Sequence, residues 1–189
     1  MCDSGYTAQT EKPLVFQRLT IELIRLWQTT GHILELPASG VSMLPLIRTG
    51  DRLTVHCTSL KALRNGDIIV YTDGIQTIVH RLIDRQRIET GWLACQKGDN
   101  LKGWTWVPET QVISRVLGLV KADNNEWSTT TGLWRLINPC IALPATIGVR
   151  LLESALPNRW IIQRSRGLLM TVIWIVQQSL LRMMMIMRK

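Results

Sequence analysis

Ser42 lies in Gly40-Val41-Ser42-Met43-Leu44-Pro45, a turn bounded by glycine and proline, and Gly50-Asp51 follows it. Such a turn can expose a hydroxyl and aim neighbouring backbone N–H groups at a developing oxyanion, although most serines in turns are only turn residues. A serine becomes a nucleophile only beside a base. Of His32, His56 and His80, the last lies in Ile78-Val79-His80-Arg81-Leu82-Ile83. Strand alternation puts Ile78, His80 and Leu82 on one sheltered face. A half-buried imidazole stays neutral near pH 7 and accepts a proton. The same position also suits a core histidine bonded to a backbone carbonyl. His56 and Cys57 are strand neighbours that point to opposite faces, so they do not form a Cys–His pair.

Four boxes occur in order: G-x-S-M-x-P followed by Gly50-Asp51, then Gly66-Asp67-Ile68-Ile69-Val70-Tyr71, then the His80-Arg81 run, then Lys97-Gly98-Asp99-Asn100. They cover residues 33–120 and resemble the catalytic domain of signal peptidases and their LexA-like relatives. The resemblance implies that Ser42 attacks the scissile carbonyl. Bacterial type I and LexA-like enzymes use a lysine base, whereas the endoplasmic-reticulum and archaeal type has histidine in an H-R box. His80 stands there, with no lysine between Lys61 and Lys97, so the chain resembles the histidine type. The resemblance also implies that Asp99, from the G-D-N box, holds the imidazole and stabilises the imidazolium. A structural Gly-Asp turn is the other reading of Asp99, and it is the reading taken for Asp51 and Asp67. Gly40 replaces a serine that many type I enzymes place two residues before the nucleophile. The backbone N–H of Ser42 is therefore the expected oxyanion donor, with Ser39 a further candidate.

The implied activity is a serine endopeptidase cleaving signal or leader peptides, with the substrate strand along a sheet edge and small residues before the cut. No metal and no cofactor are implied. A LexA-like self-cleaving peptidase is one rival, opposed by the absence of a helix-turn-helix ahead of the domain and of a lysine base. A catalytically inactive module bound to membrane or nucleic acid is the other.

These residues need a scaffold. Apolar spacing predicts an amphipathic helix over 15–30, where Phe16, Leu19, Leu23 and Trp27 share a face. Short runs rich in Val, Ile, Leu and Thr predict strands at 32–36, 52–56, 67–71, 76–84, 91–97 and 111–120, with Asp73-Gly74 as a hairpin. The expected fold is mainly β. It is a small coiled antiparallel β-sheet peptidase domain of the signal-peptidase/LexA-like kind, with an N-terminal helix and a helical C-terminal appendage. The expected divisions are tail and helix 1–31, catalytic domain 32–121, polar linker 122–131, and a basic, apolar helical region 132–189. Within that region, helices are expected at 133–156, interrupted at Asn138-Pro139 and Pro144, and at 159–189.

The chain has 189 residues, 46% hydrophobic and 19% charged, which excludes a disordered protein. Its +8 charge is uneven: beyond Thr131 eight Lys or Arg face one acid, Glu153. Because these cations are interleaved with Leu, Ile, Met and Trp, the expected partner is an anionic membrane surface, and nucleic acid is disfavoured. Residues 168–187 could just span a bilayer. Gln177, Gln178 and Arg182 fall inside this stretch and favour a helix lying on the membrane or packed on the β domain. The protein is thus expected to be membrane-associated, peripherally or by one C-terminal span, and otherwise cytoplasmic. The N-terminus lacks the basic and apolar regions of a secretory signal. Cys2, Cys57, Cys95 and Cys140 match neither a zinc pattern nor a disulfide framework.

Overall fold

Gly50, Gly66 and Gly74, in the Gly50-Asp51, Gly66-Asp67 and Asp73-Gly74 pairs that predict turns, adopt positive φ. Gly66 shows why one of them must be glycine. Its φ is +99°, and a Cβ there would lie 2.5 Å from the backbone carbon of Asn138, so a side chain would block the approach of a C-terminal helix. A computed structural model describes residues 26–154 and 159–186.

Eight strands, β1 (Ile33–Pro37), β2 (Arg52–Cys57), β3 (Ile68–Thr72), β4 (Thr77–Ile88), β5 (Gly91–Lys97), β6 (Thr105–Pro108), β7 (Val112–Val120) and β8 (Glu126–Ser128), are followed by helices α1 (Leu133–Ser154) and α2 (Arg159–Ile186). Among the described residues the strands form one antiparallel sheet in the order β1-β2-β7-β3-β4-β5-β6, with β8 paired to β7. The protein is therefore mainly β with a helical C-terminal part. The six predicted strands all form. Strand β4 runs four residues beyond its expected end, because β5 continues to pair with it as far as Ile88↔Gly91.

Two strands were not anticipated. Strand β6 carries a proline, and β8 lies inside the expected linker 122–131. Their extended form comes from pairing with β5 and β7 rather than from their own composition. The linker is thus partly integrated into the fold: Thr129 is buried and its hydroxyl donates to Val116 O at 2.6 Å. Of the helix expected at 15–30, residues 26–30 are helical and the rest lies outside the described residues.

The sheet is covered on both faces. One apolar cluster holds Leu60, Leu63, Ile69, Tyr71, Leu82 and Val112. On the other face, Leu53, Val55, Ile68, Val70 and Val116 pack with Trp134 and Ile141 of α1 and with Leu181 and Met184 of α2. Strand β3 contributes to both clusters, so its Ile-Ile-Val-Tyr run is apolar without alternation. Completely buried Ile141 and Leu181 each contribute about 1.5–3 kcal/mol of burial free energy.

Helix α1 runs through Pro139 and Pro144 without the expected interruption. Small residues on its inner face (Ala142, Ala145, Gly148) let it lie against Ile83 and Cys95 of the sheet and Ile173 of α2. That burial offsets the hydrogen bonds the prolines cannot make. Two segments, Leu133–Glu153 and Gly167–Ile186, are long and apolar enough to span a membrane, with mean hydropathies of 1.3 and 1.5. The first was not expected, because its prolines read as breaks in the sequence.

Candidate active site

The Ser42 turn is tied off at its base. Ala38 N–H donates to Asp51 O at 2.8 Å and Gly50 N–H to Ala38 O at 3.1 Å. The Asp51 carboxylate accepts from Arg48 N–H at 2.9 Å and from Lys121 Nζ at 2.8 Å, so Asp51 is a turn former as expected. Asp67 likewise accepts from Arg64 N–H at 2.8 Å. Met43, Leu46 and Ile47 point into the core, which leaves Ser42 half-buried at the surface of a cleft. No hydrogen-bond acceptor is found for Ser42 N–H among the described residues, so this donor is available.

The cleft has a volume of about 570 Å³, and its lining includes Pro37, Ser39, Ser42, Met43, Ile78 and His80. The fold thus brings Ser42 and His80 to one cavity and keeps Ser39 at its rim. No hydrogen bond joins the Ser42 hydroxyl to His80. The cleft also has two strand edges. Strand β1 pairs only with β2 among the described residues, and residues 77–80 of β4 have no partner on the β5 side.

His80 is buried, and its Nδ1 meets Gln96 Oε1 in a close hydrogen bond, with the Tyr71 hydroxyl 3.5 Å away. With an amide oxygen as partner, Nδ1 carries the proton and Nε2 is the free acceptor. Burial pushes the His80 pKa below the usual histidine value; the Lys97 charge adds to this, while the Gln96 bond and the Asp99 charge oppose it. The imidazole is therefore neutral near pH 7.

Asp99 does not bond to His80, which corrects the expected pairing. Its carboxylate is fully buried and accepts from Arg81 Nε at 2.8 Å, Arg81 Nη2 at 2.7 Å and Gln177 Nε2 at 2.9 Å. Alternation explains the change of partner. Arg81 lies opposite Lys97, and Leu82 lies opposite Gln96. His80 and Gln96 thus share one face, while Arg81, Lys97 and Asp99 gather on the other. Gln96 occupies the position beside the imidazole that the resemblance assigns to Asp99.

The buried cluster draws in both C-terminal helices. Arg81 Nη1 donates to Gly66 O at 2.8 Å and to Asn138 Oδ1 of α1 at 2.9 Å. Lys97 Nζ donates to Gln177 Oε1 at 2.7 Å and to Gly98 O at 3.2 Å. Burial pushes the pKa of Lys97 down to about 8, but its amine is committed to these partners and does not line the cleft. Gln178 Nε2 donates to Asp99 O at 2.7 Å and to Leu44 O at 3.3 Å, linking the fourth box to the serine turn. Reasoning from sequence missed Gln96, Gln177 and Gln178 as site residues. The adjacent glutamines did carry a signal: two amides within an apolar helix require buried partners.

No protein-family model matches this chain, and no curated protein matches it either.

Proposed function

We propose that the protein is a serine endopeptidase of the signal-peptidase/LexA-like kind, with Ser42 as nucleophile and His80 as general base. The observation that carries this reading is the shared cleft: a turn serine with a free backbone N–H and a buried neutral histidine line one cavity. The order of the four sequence boxes supports the same family. In this reading a substrate strand lies between the open edge of β1 and residues 77–80 of β4, exchanging backbone hydrogen bonds. Ser42 Oγ attacks the scissile carbonyl while His80 Nε2 takes its proton. Ser42 N–H, with Ser39 at the rim, stabilises the oxyanion. Collapse breaks the C–N bond, and His80 returns the proton to the leaving amine. Water, deprotonated by His80, then hydrolyses the acyl ester and frees Ser42. Gln96 holds the Nδ1–H tautomer throughout.

The membrane belongs to this proposal. Outward residues Leu136, Leu143 and Ile147 of α1 and Val172, Ile175 and Met183 of α2 are exposed, although the opposite helix faces are buried in the fold. Helices apolar on both sides suit a lipid environment, and a membrane-held peptidase meets signal or leader peptides where they are made. The test is purified wild type beside Ser42→Ala and His80→Ala on peptides with small residues before the cut. Cleavage lost in both variants supports the reading. Cleavage that survives either substitution, or none by wild type, overturns it.

A further inference from the structure

A second cleft, of about 350 Å³, lies away from Ser42 and His80. Three separate segments contribute an arginine to its lining: Arg64 from the turn before β3, Arg115 from β7, and Arg135 from the first turn of α1. One acid, Asp67, also lines it. That carboxylate already accepts from the Arg64 backbone and is 3.9 Å from Arg115. The guanidinium groups of Arg64 and Arg135 have no acidic partner among the described residues. Arg115 Nε is a buried donor without an acceptor, and Asn65 Oδ1, from another lining residue, is a buried acceptor without a donor. Three like charges meeting around one under-neutralised cleft, with an N–H left unmatched, suit a multivalent oxyanion.

We propose that this cleft binds a phosphate-class anion, and that the anion is the phosphate of a phospholipid headgroup. Arginine suits such a ligand because its planar donor fork matches pairs of phosphate oxygens. Leu133 and Leu136, 64% and 71% exposed, flank Arg135 in sequence. Apolar side chains projecting beside a phosphate site belong at the boundary between headgroups and acyl chains. The unmatched Asn65 Oδ1 takes a hydroxyl donor next to the phosphate, as in a phosphoglycerol headgroup. This inference does not depend on peptidase activity.

The experiment uses the full chain with three probes: inorganic phosphate, vesicles of phosphatidylcholine alone, and the same vesicles containing phosphatidylglycerol. The double variant Arg64→Gln/Arg135→Gln is compared with Arg52→Gln/Arg87→Gln, which removes the same charge at exposed positions outside the cleft. The expected result is at least a ten-fold loss of affinity for phosphatidylglycerol vesicles in the cleft variant and little change in the control. Inorganic phosphate should shift the Arg115 Nε–H resonance of the wild-type protein and compete with vesicle binding. Equal losses in both variants, or an Arg115 resonance indifferent to phosphate and to lipid, overturn the proposal. Phosphate binding that never competes with vesicles overturns the headgroup assignment and leaves free phosphate as the ligand.

Discussion

The backbone N–H of Asn100 donates to the carbonyl oxygen of Ser42 at 2.7 Å. Asn100 Nδ2 also reaches Val41 O at 3.2 Å, so the Gly98-Asp99-Asn100 turn splints the segment that carries Ser42, the proposed nucleophile. The box expected to supply a carboxylate to His80 instead braces the Ser42 segment, through both the backbone and the side chain of Asn100.

Gly98→Ala tests the splint. A Cβ at this position would lie 2.8 Å from Ser42 O and 2.9 Å from the Leu101 side chain. The backbone of the serine turn has to move, at an expected cost of about 1–3 kcal/mol of stability. Displacing Ser42, the proposed nucleophile, is expected to lower kcat about 10²-fold in the folded fraction. Urea denaturation and turnover measured on the same preparation check both effects. Unchanged turnover would show that the splint has no part in positioning Ser42.

The Gln96 contact predicts a pH signature. Burial lowers the His80 pKa; with His80 as the proposed base, cleavage is expected to persist somewhat below the ordinary histidine range near pH 6.5. Gln96→Glu puts a carboxylate against Nδ1, stabilises the imidazolium, and should move the acid limb of kcat/KM to higher pH. Gln96→Leu leaves the imidazolium with less support and should move the limb to lower pH while reducing the rate. An NMR titration of His80 reads the same shifts without a substrate.

Asp99→Asn separates a structural carboxylate from a catalytic one. The substitution leaves the buried Arg81 guanidinium without its counter-charge, which is expected to cost about 3–5 kcal/mol of stability. A carboxylate serving only to orient His80 would instead leave stability nearly unchanged while turnover falls. Chemical denaturation distinguishes the two outcomes.

Lys97 contributes its own pH dependence. Its pKa is about 8 in the folded protein against 10.5 ordinarily. Between these values the unfolded chain binds the extra proton, so stability from this group rises with pH. Below pH 8 both states are charged and the burial penalty is present in full. Lys97→Met should remove the rise, so the stability difference between variant and wild type should change by about 3 kcal/mol from pH 8 to 10.5. A parallel pair of curves across that window would show that Lys97 is not buried as described.

Much of the sheet was legible because its signals are local. Runs such as Ile68-Ile69-Val70-Tyr71 and turns such as Asp73-Gly74 state their conformation within a few residues. The β6 and β8 segments were illegible for the opposite reason: Thr-Trp-Val-Pro and Glu-Trp-Ser become strands only against β5 and β7. The proline-bearing α1 was read as broken because the sheet and helix that support it lie far away in the sequence.

For the site, sequence by itself determined the chemical types and the order of the boxes, including a turn-held Ser42 and a sheltered His80. Only the tertiary structure decided the partners. The register Arg81↔Lys97 turns Arg81 and Asp99 toward the helices, and it leaves His80 facing Gln96 across the sheet's other side. The docking of α2 then supplies Gln177 and Gln178 to a cluster some 80 positions earlier in the chain. A buried charge or amide must find a partner wherever the fold brings one, and that choice depends on packing across long chain separations rather than on local sequence.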